Sequence, residues 1–125
     1  MKEKDRRLFI CVLRCFKTSV EVAVSTAHFT WQGHKSEYES GVNVRKEQAK
    51  RASICLLRNV SLMPIIFGGD LNESFWPKRI FEKYGFKDCF ETLGLPVRPT
   101  HPTRPSLAHV ERNADSALDL SLIHI

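Results

Sequence analysis

Hydrophobic and polar residues alternate strictly over residues 20–27, VEVAVSTA, with Val20, Val22 and Val24 on one side and Glu21 and Ala23 on the other. A period of two is that of a half-buried β-strand. Upstream, residues 8–16, LFICVLRCF, are rich in β-formers and aromatics, and Lys17-Thr18-Ser19 separates the two runs. Together they predict a β-hairpin. The following HFTWQGHKSEYESG reads as a polar, aromatic loop.

The period then changes. In residues 43–58, NVRKEQAKRASICLLR, the positions Val44, Gln48, Ala52 and Cys55 form a helical stripe with Ala49 and Leu56 beside it. Arg45, Lys46, Lys50, Arg51 and Arg58 mostly fall off that stripe, and Asn43 is placed to cap the helix. Residues 64–68, PIIFG, are a continuous apolar run too short for a helix, which suits a strand buried on both faces. A short helix is predicted over about residues 75–84, with Ser74 as cap, Pro77 in the first turn and Gly85 as stop. GFKDCFETLGLP is read as a last turn and a loop, VRPTHPTRPS as extended and irregular, and LAHVERNADS as a surface loop. The closing ALDLSLIHI alternates again. Hairpin, helix, buried strand, short helix and strand make an α/β pattern in one domain.

Composition narrows the classes. The chain has 125 residues with 42% hydrophobic content, enough for one core, and no stretch long and apolar enough to span a bilayer. Arg14 and Lys17 interrupt the apolar part of MKEKDRRLFICVLRCF, and no small-residue cleavage site follows, so it is not read as a signal peptide. Cys11, Cys15, Cys55 and Cys89 form no CxxC; they read as buried free thiols of an intracellular, cytoplasmic or nuclear, protein. The net charge of +5 suits a polyanionic partner, although a solvated basic helix face explains much of it. Nothing here specifies an oligomeric state.

Candidate chemistry gathers at strand ends. Asp70 and Asn72, in GGDLN, stand just past the PIIFG strand, where open α/β sheets collect ligands. Extended backbone would aim both side chains at one spot, and a carboxylate there can bind a hard cation or take a proton from water. Gly68 and Gly69 would allow close approach of backbone or substrate. An Asx-turn capping the next helix accounts for the same residues. His28 stands at the end of the alternating strand, Thr100 and His101 in a stiff proline-rich loop, and Asp119 in the last strand.

The order T-A-H-F-T-W, R-x-x-Q-A, P-I-I-F-G-G-D-L-N, G-F-x-D-C-F, P-T-H-P, L-D closely resembles the endonuclease/exonuclease/phosphatase superfamily, the DNase I-like fold, from about residue 8 to residue 119. The resemblance implies two sheets packed face to face with helices outside, and hydrolysis of phosphate esters with Mg²⁺ or Mn²⁺. It implies that Asp70 activates water or binds metal, that Asn72 positions the phosphate and shares the metal site, and that His28 contacts the scissile phosphate. Thr100 and His101 would lie near substrate or support the site, and Asp119 would help it hold its shape. The implied substrate is a phosphodiester in nucleic acid, with lipid and inositol phosphates left open.

The same pattern also has an early strand ending in asparagine, another ending in a metal-binding glutamate, and a terminal Asp-His pair. This sequence supplies none of them: Glu3 lies in a charged run, and His124 follows Asp119 within one short strand. Residues 1–119 are therefore read as an incomplete domain, with an open sheet face that favours aggregation. Residues 120–125, LSLIHI, are the translation of CTG-TCT-CTT-ATA-CAC-ATC, a sequence that matches the transposon end used in sequencing-library preparation. They are read as a non-native tail, although their alternation also permits a genuine strand. The chain is expected to be a fragment of a metal-dependent nuclease; the alternative is an inactive piece or a polyanion-binding or interaction module.

Overall fold

The computed structural model describes residues 6–97, 100 and 119–125. The hairpin forms as expected: β1 (Leu8–Arg14) pairs antiparallel with β2 (Glu21–His28). Its turn is closed by Ser19 N–H donating to the Cys15 carbonyl, with Ser19 at φ 59°. Helices α1 (Lys35–Ser40) and α2 (Val44–Val60) then lead to β3 (Ile65–Asp70), which runs parallel to β2. Helix α3 (Trp76–Lys83), the two-residue β4 (Lys87–Asp88), the single turn α4 (Cys89–Thr92) and β5 (Asp119–His124) complete the chain. The sheet order is β1-β2-β3-β5-β4, with β5 antiparallel to both neighbours.

Among the described residues, the buried core lies on one face of this sheet. Ala23 and Ala27 of β2, Ile65 and Phe67 of β3, and Leu120 and Leu122 of β5 meet Ala49, Ala52, Leu56 and Val60 of α2. Phe81 of α3 anchors the far end, its ring 4.7 Å from Phe67 and 5.2 Å from Phe86. The helices thus choose the small-residue face of β2, while Val22 and Val24 turn to the other side. That other side is open: Phe9, Leu13 and Ile66 are 63%, 51% and 42% exposed. PIIFG is therefore covered on one face, not two, because no second layer lies over the sheet among the described residues.

Several local expectations shift for identifiable reasons. Helix α1 lies where a loop was expected. The His34 ring accepts from Ser36 N–H, which caps the short helix, and Glu37 Oε2 accepts from Gly33 N–H, which ties the first turn to the residue before the cap. Asn43 caps α2 as expected, its Oδ1 accepting from Arg45 N–H at 3.0 Å. The buried stripe of α2 runs through Arg45, Ala49, Ala52, Ser53, Leu56 and Val60, about one position round from the predicted one. Ser74 does not cap α3; Phe75 holds that position without a side-chain bond, and Glu73 Oε1 accepts from Trp76 N–H at 3.4 Å instead. GFKDCFETLGLP contains the two-residue strand β4, paired with β5, and the turn of helix α4, which Asp88 Oδ1 caps through Glu91 N–H. The cysteines are free, but Cys11 and Cys15 are exposed, not buried, as they sit on the open face and the hairpin turn. The Cys15 thiol is held below its ordinary value, chiefly by a hydrogen bond from the Thr18 side chain.

The two glycines of β3 have opposite roles. A Cβ at Gly69 would lie 2.2 Å from the Ala27 carbonyl oxygen, whereas one at Gly68 would meet only the Leu120 oxygen, at 3.9 Å. Gly69→Ala should therefore lower stability by about 1–3 kcal/mol in urea unfolding, as overpacking does, while Gly68→Ala should change it much less.

Candidate active site

Three of the expected residues end up in one row. Strand register pairs His28 with Asp70 and Asp70 with Asp119, so all three cross the sheet at the carboxyl ends of β2 and β3. Paired residues share a face, and here it is the open one, continuing Val24–Ile66–Ile123. His28 Nε2 stands 3.5 Å from Asp70 Oδ2, with the two side chains 61% and 38% exposed. The pair is therefore in contact and open to a ligand from solvent.

Asp70 also makes the Asx-turn, its Oδ1 accepting from Asn72 N–H at 2.9 Å. The turn and the candidate site are thus the same atoms, with Oδ1 holding the loop and Oδ2 facing His28. Asn72 is not extended, as the two-apart argument assumed; its φ is 53°. This left-handed conformation, which asparagine tolerates well, swings the amide so that Nδ2 donates to the Phe29 carbonyl at 2.8 Å. Phe29 N–H in turn donates to the Asp70 carbonyl at 2.8 Å, so the loops leaving β2 and β3 are laced together. Thr100 Oγ1 accepts from Asp119 N–H at 3.1 Å, which places Thr100 beside the end of the row. His101 lies outside the described residues.

Sequence reasoning missed what holds these loops. Arg45, set aside as a surface charge, is 4% exposed. Its Nε donates to Glu73 at 2.7 Å, its Nη1 lies 2.8 Å from Glu37 Oε1 and 3.2 Å from the Thr30 carbonyl. One turn on, Gln48 accepts from Thr30 N–H at 3.0 Å and donates to Thr30 Oγ1 at 2.8 Å. Asn43 Nδ2 adds a bond to Glu73 at 2.8 Å. The segment two residues past His28 and the residue after Asn72 are thus both clamped to the start of α2. The signal was present as R-x-x-Q, since positions three apart share a helix face. It could not be weighed without knowing that Glu37 and Glu73 come to meet it.

No protein-family model and no curated protein matches the chain. Solved structures do. Humanized D. rerio TDP2 carrying 14 mutations superposes with a TM-score of 0.67 at 17% identity, over 95% of this chain and 45% of that one. The human Nocturnin catalytic domain with bound sulfate gives 0.64 at 13% identity, over 94% and 41%. An endonuclease/exonuclease/phosphatase family protein from Bacteroides thetaiotaomicron gives 0.64 at 18%, over 95% and 42%. The chain therefore has the endonuclease/exonuclease/phosphatase, or DNase I-like, fold. It spans less than half the length of the structures that share it.

Proposed function

We propose that this chain is part of a phosphoesterase that hydrolyses phosphodiester bonds in nucleic acid, with His28, Asp70 and Asn72 in its reaction centre. The observation that carries the reading is the row His28–Asp70–Asp119 at one end of the open sheet face. Two neighbours with this fold add support: a Bacteroides thetaiotaomicron mannosyl-6-phosphatase for phosphoester hydrolysis in general, and a D. rerio TDP2 structure complexed with a single strand DNA product for the nucleic-acid substrate. The net charge of +5 suits a polyanionic substrate. The free cysteines fit a cytoplasmic or nuclear setting; no helix among the described residues is long and apolar enough to cross a membrane.

Each residue then has a role that its surroundings permit. Asp70 Oδ2, with Oδ1 already fixed in the turn, takes a proton from the attacking water. His28 Nε2, when protonated, donates to a phosphoryl oxygen and offsets the charge that grows there. Asn72 has one amide hydrogen committed to Phe29, which leaves its second N–H to orient the phosphate. Asp119 and Thr100 fix the β5 end of the row.

Mg²⁺ or Mn²⁺ dependence does not follow from these residues alone. Among the described residues no group of three or more His, Cys, Asp or Glu side chains is arranged to hold a metal ion. Asp70 and Asn72 supply fewer oxygens than a divalent cation needs, so an ion would require ligands from elsewhere. This favours a second statement: the 125 residues by themselves are catalytically inert. With methyl p-nitrophenyl phosphate as substrate, the isolated chain should show no hydrolysis. A polypeptide extended to the length of the neighbours should hydrolyse it in Mg²⁺ and stop with EDTA. Inactivity of the longer polypeptide would overturn the phosphoesterase reading, and metal-dependent turnover by the isolated chain would overturn the division.

A further inference from the structure

Two large aromatic side chains stand exposed a few residues along the chain from Asp70 and Asn72. Phe75 and Trp76, three and four residues past Asn72, are 53% and 41% exposed. They lie off the buried face of α3, which is formed by Pro77 and Phe81. Their rings are edge to face, with centroids 5.1 Å apart. Lys46 Nζ lies 3.4 Å from the centre of the Trp76 ring, and the Arg79 guanidinium 5.5 Å from that of Phe75. Arg79 also pairs with Glu82, but no ion pair among the described residues involves Lys46, so its charge is not cancelled there by a carboxylate.

Position makes the pair more than a surface irregularity. Three residues of chain span at most about 11 Å, so Phe75 is within reach of a group adjoining anything held at Asn72. Each ring has a cation lying over it, an arrangement complementary to a ligand that is itself both aromatic and anionic: its base takes the ring face as the cation turns to its phosphate. A nucleotide is such a ligand, and stacking is available only where its base is not already stacked in a duplex.

We propose that Phe75 and Trp76 form a stacking platform for a base of single-stranded nucleic acid, with Lys46 and Arg79 facing the adjoining phosphates. This rests on the phosphodiesterase reading for the orientation of the strand and adds its substrate class: a single strand, held next to the scissile phosphate without regard to base identity.

Trp31 and Trp76 are the chain's two tryptophans, so Trp31→Phe leaves Trp76 as sole reporter. In EDTA, where hydrolysis is suppressed, this protein is titrated with oligothymidylate and with an abasic phosphodiester oligomer of equal length. Oligothymidylate should quench Trp76 fluorescence and bind more tightly; the abasic oligomer should do neither. In the otherwise native chain, Trp76→Leu should weaken oligothymidylate binding by about five- to 150-fold, the range measured for loss of one stacked base. Lys46→Gln should flatten the salt dependence by roughly one phosphate contact. Equal binding of both oligomers overturns the platform, as does a folded Trp76→Leu protein that binds as before. A response to apolar peptide but not to oligonucleotide assigns the patch to a protein contact and likewise overturns it. If Trp76→Leu loses its helical circular dichroism, Phe75→Leu and Lys46→Gln decide, and unchanged binding in both is the negative result. In the extended polypeptide, lost stacking with intact hydrolysis of methyl p-nitrophenyl phosphate removes the platform alone. Stacking without hydrolysis removes the phosphodiesterase reading alone.

Discussion

Replacing Asp70 with asparagine should lower metal-dependent phosphodiester hydrolysis by the extended polypeptide about 10²–10⁴-fold while leaving its fold in place. The two consequences separate because the two oxygens of Asp70 have separate tasks. Oδ1 accepts from Asn72 N–H, a bond that an asparagine oxygen makes equally well. Oδ2 faces His28 at 3.5 Å, and there the substitution puts an amide that cannot take a proton from water. The expected loss is the usual contribution of a positioned acid–base group. Measured rates should fall in kcat, with thermal unfolding unchanged. Wild-type rates in Asp70→Asn would remove Asp70 from the reaction, and the turn would then be its whole role.

Arg45→Met should be the most destabilising single change at the site, costing about 3–5 kcal/mol in urea or thermal unfolding. The guanidinium is nearly closed off from water, and so are its partners, whose side chains are 16% exposed at Glu37 and 10% at Glu73. Removing it strands two carboxylates in a region of low dielectric and frees the Thr30 carbonyl. The cost of keeping those charges away from water outweighs the lost attraction, so neutralising the stranded groups should recover much of the loss. The triple variant Arg45→Met, Glu37→Gln, Glu73→Gln is therefore expected to be clearly more stable than Arg45→Met alone. If Arg45→Met costs under about 1 kcal/mol, the cluster is behaving as an exposed ion pair and the clamp on the two loops is not supported.

Much of the fold could be read from periodicity. The hairpin, the long helix with its Asn43 cap, the β3 strand and the α3 segment ending at Gly85 all stand where the pattern placed them. What periodicity left open or misplaced was the choice of face. Alternation in VEVAVSTA says that two faces differ, not which one the helices will cover; here the alanine side packs because α2 presents Ala49 and Ala52 to it. The α2 stripe was misplaced for a similar reason, since a charged residue at position 45 looks like surface until its two carboxylate partners are known.

The candidate site divides the same way. Asp70 and His28 stood out as candidates because each ends a strand, with Asn72 two residues further on, and strand ends are where a sheet gathers chemistry. Their alignment was not legible, because register between β2, β3 and β5 is a tertiary quantity, set by pairing across 42 residues of chain from His28 to Asp70. The sequence by itself determined most of the local elements and which residues are candidates for chemistry, through backbone propensity and the period of burial. Only the tertiary structure decided which sheet face stays open, that His28, Asp70 and Asp119 form one row, and that a buried arginine holds the loops beneath it. Those outcomes depend on which distant surfaces meet, and no local pattern encodes that.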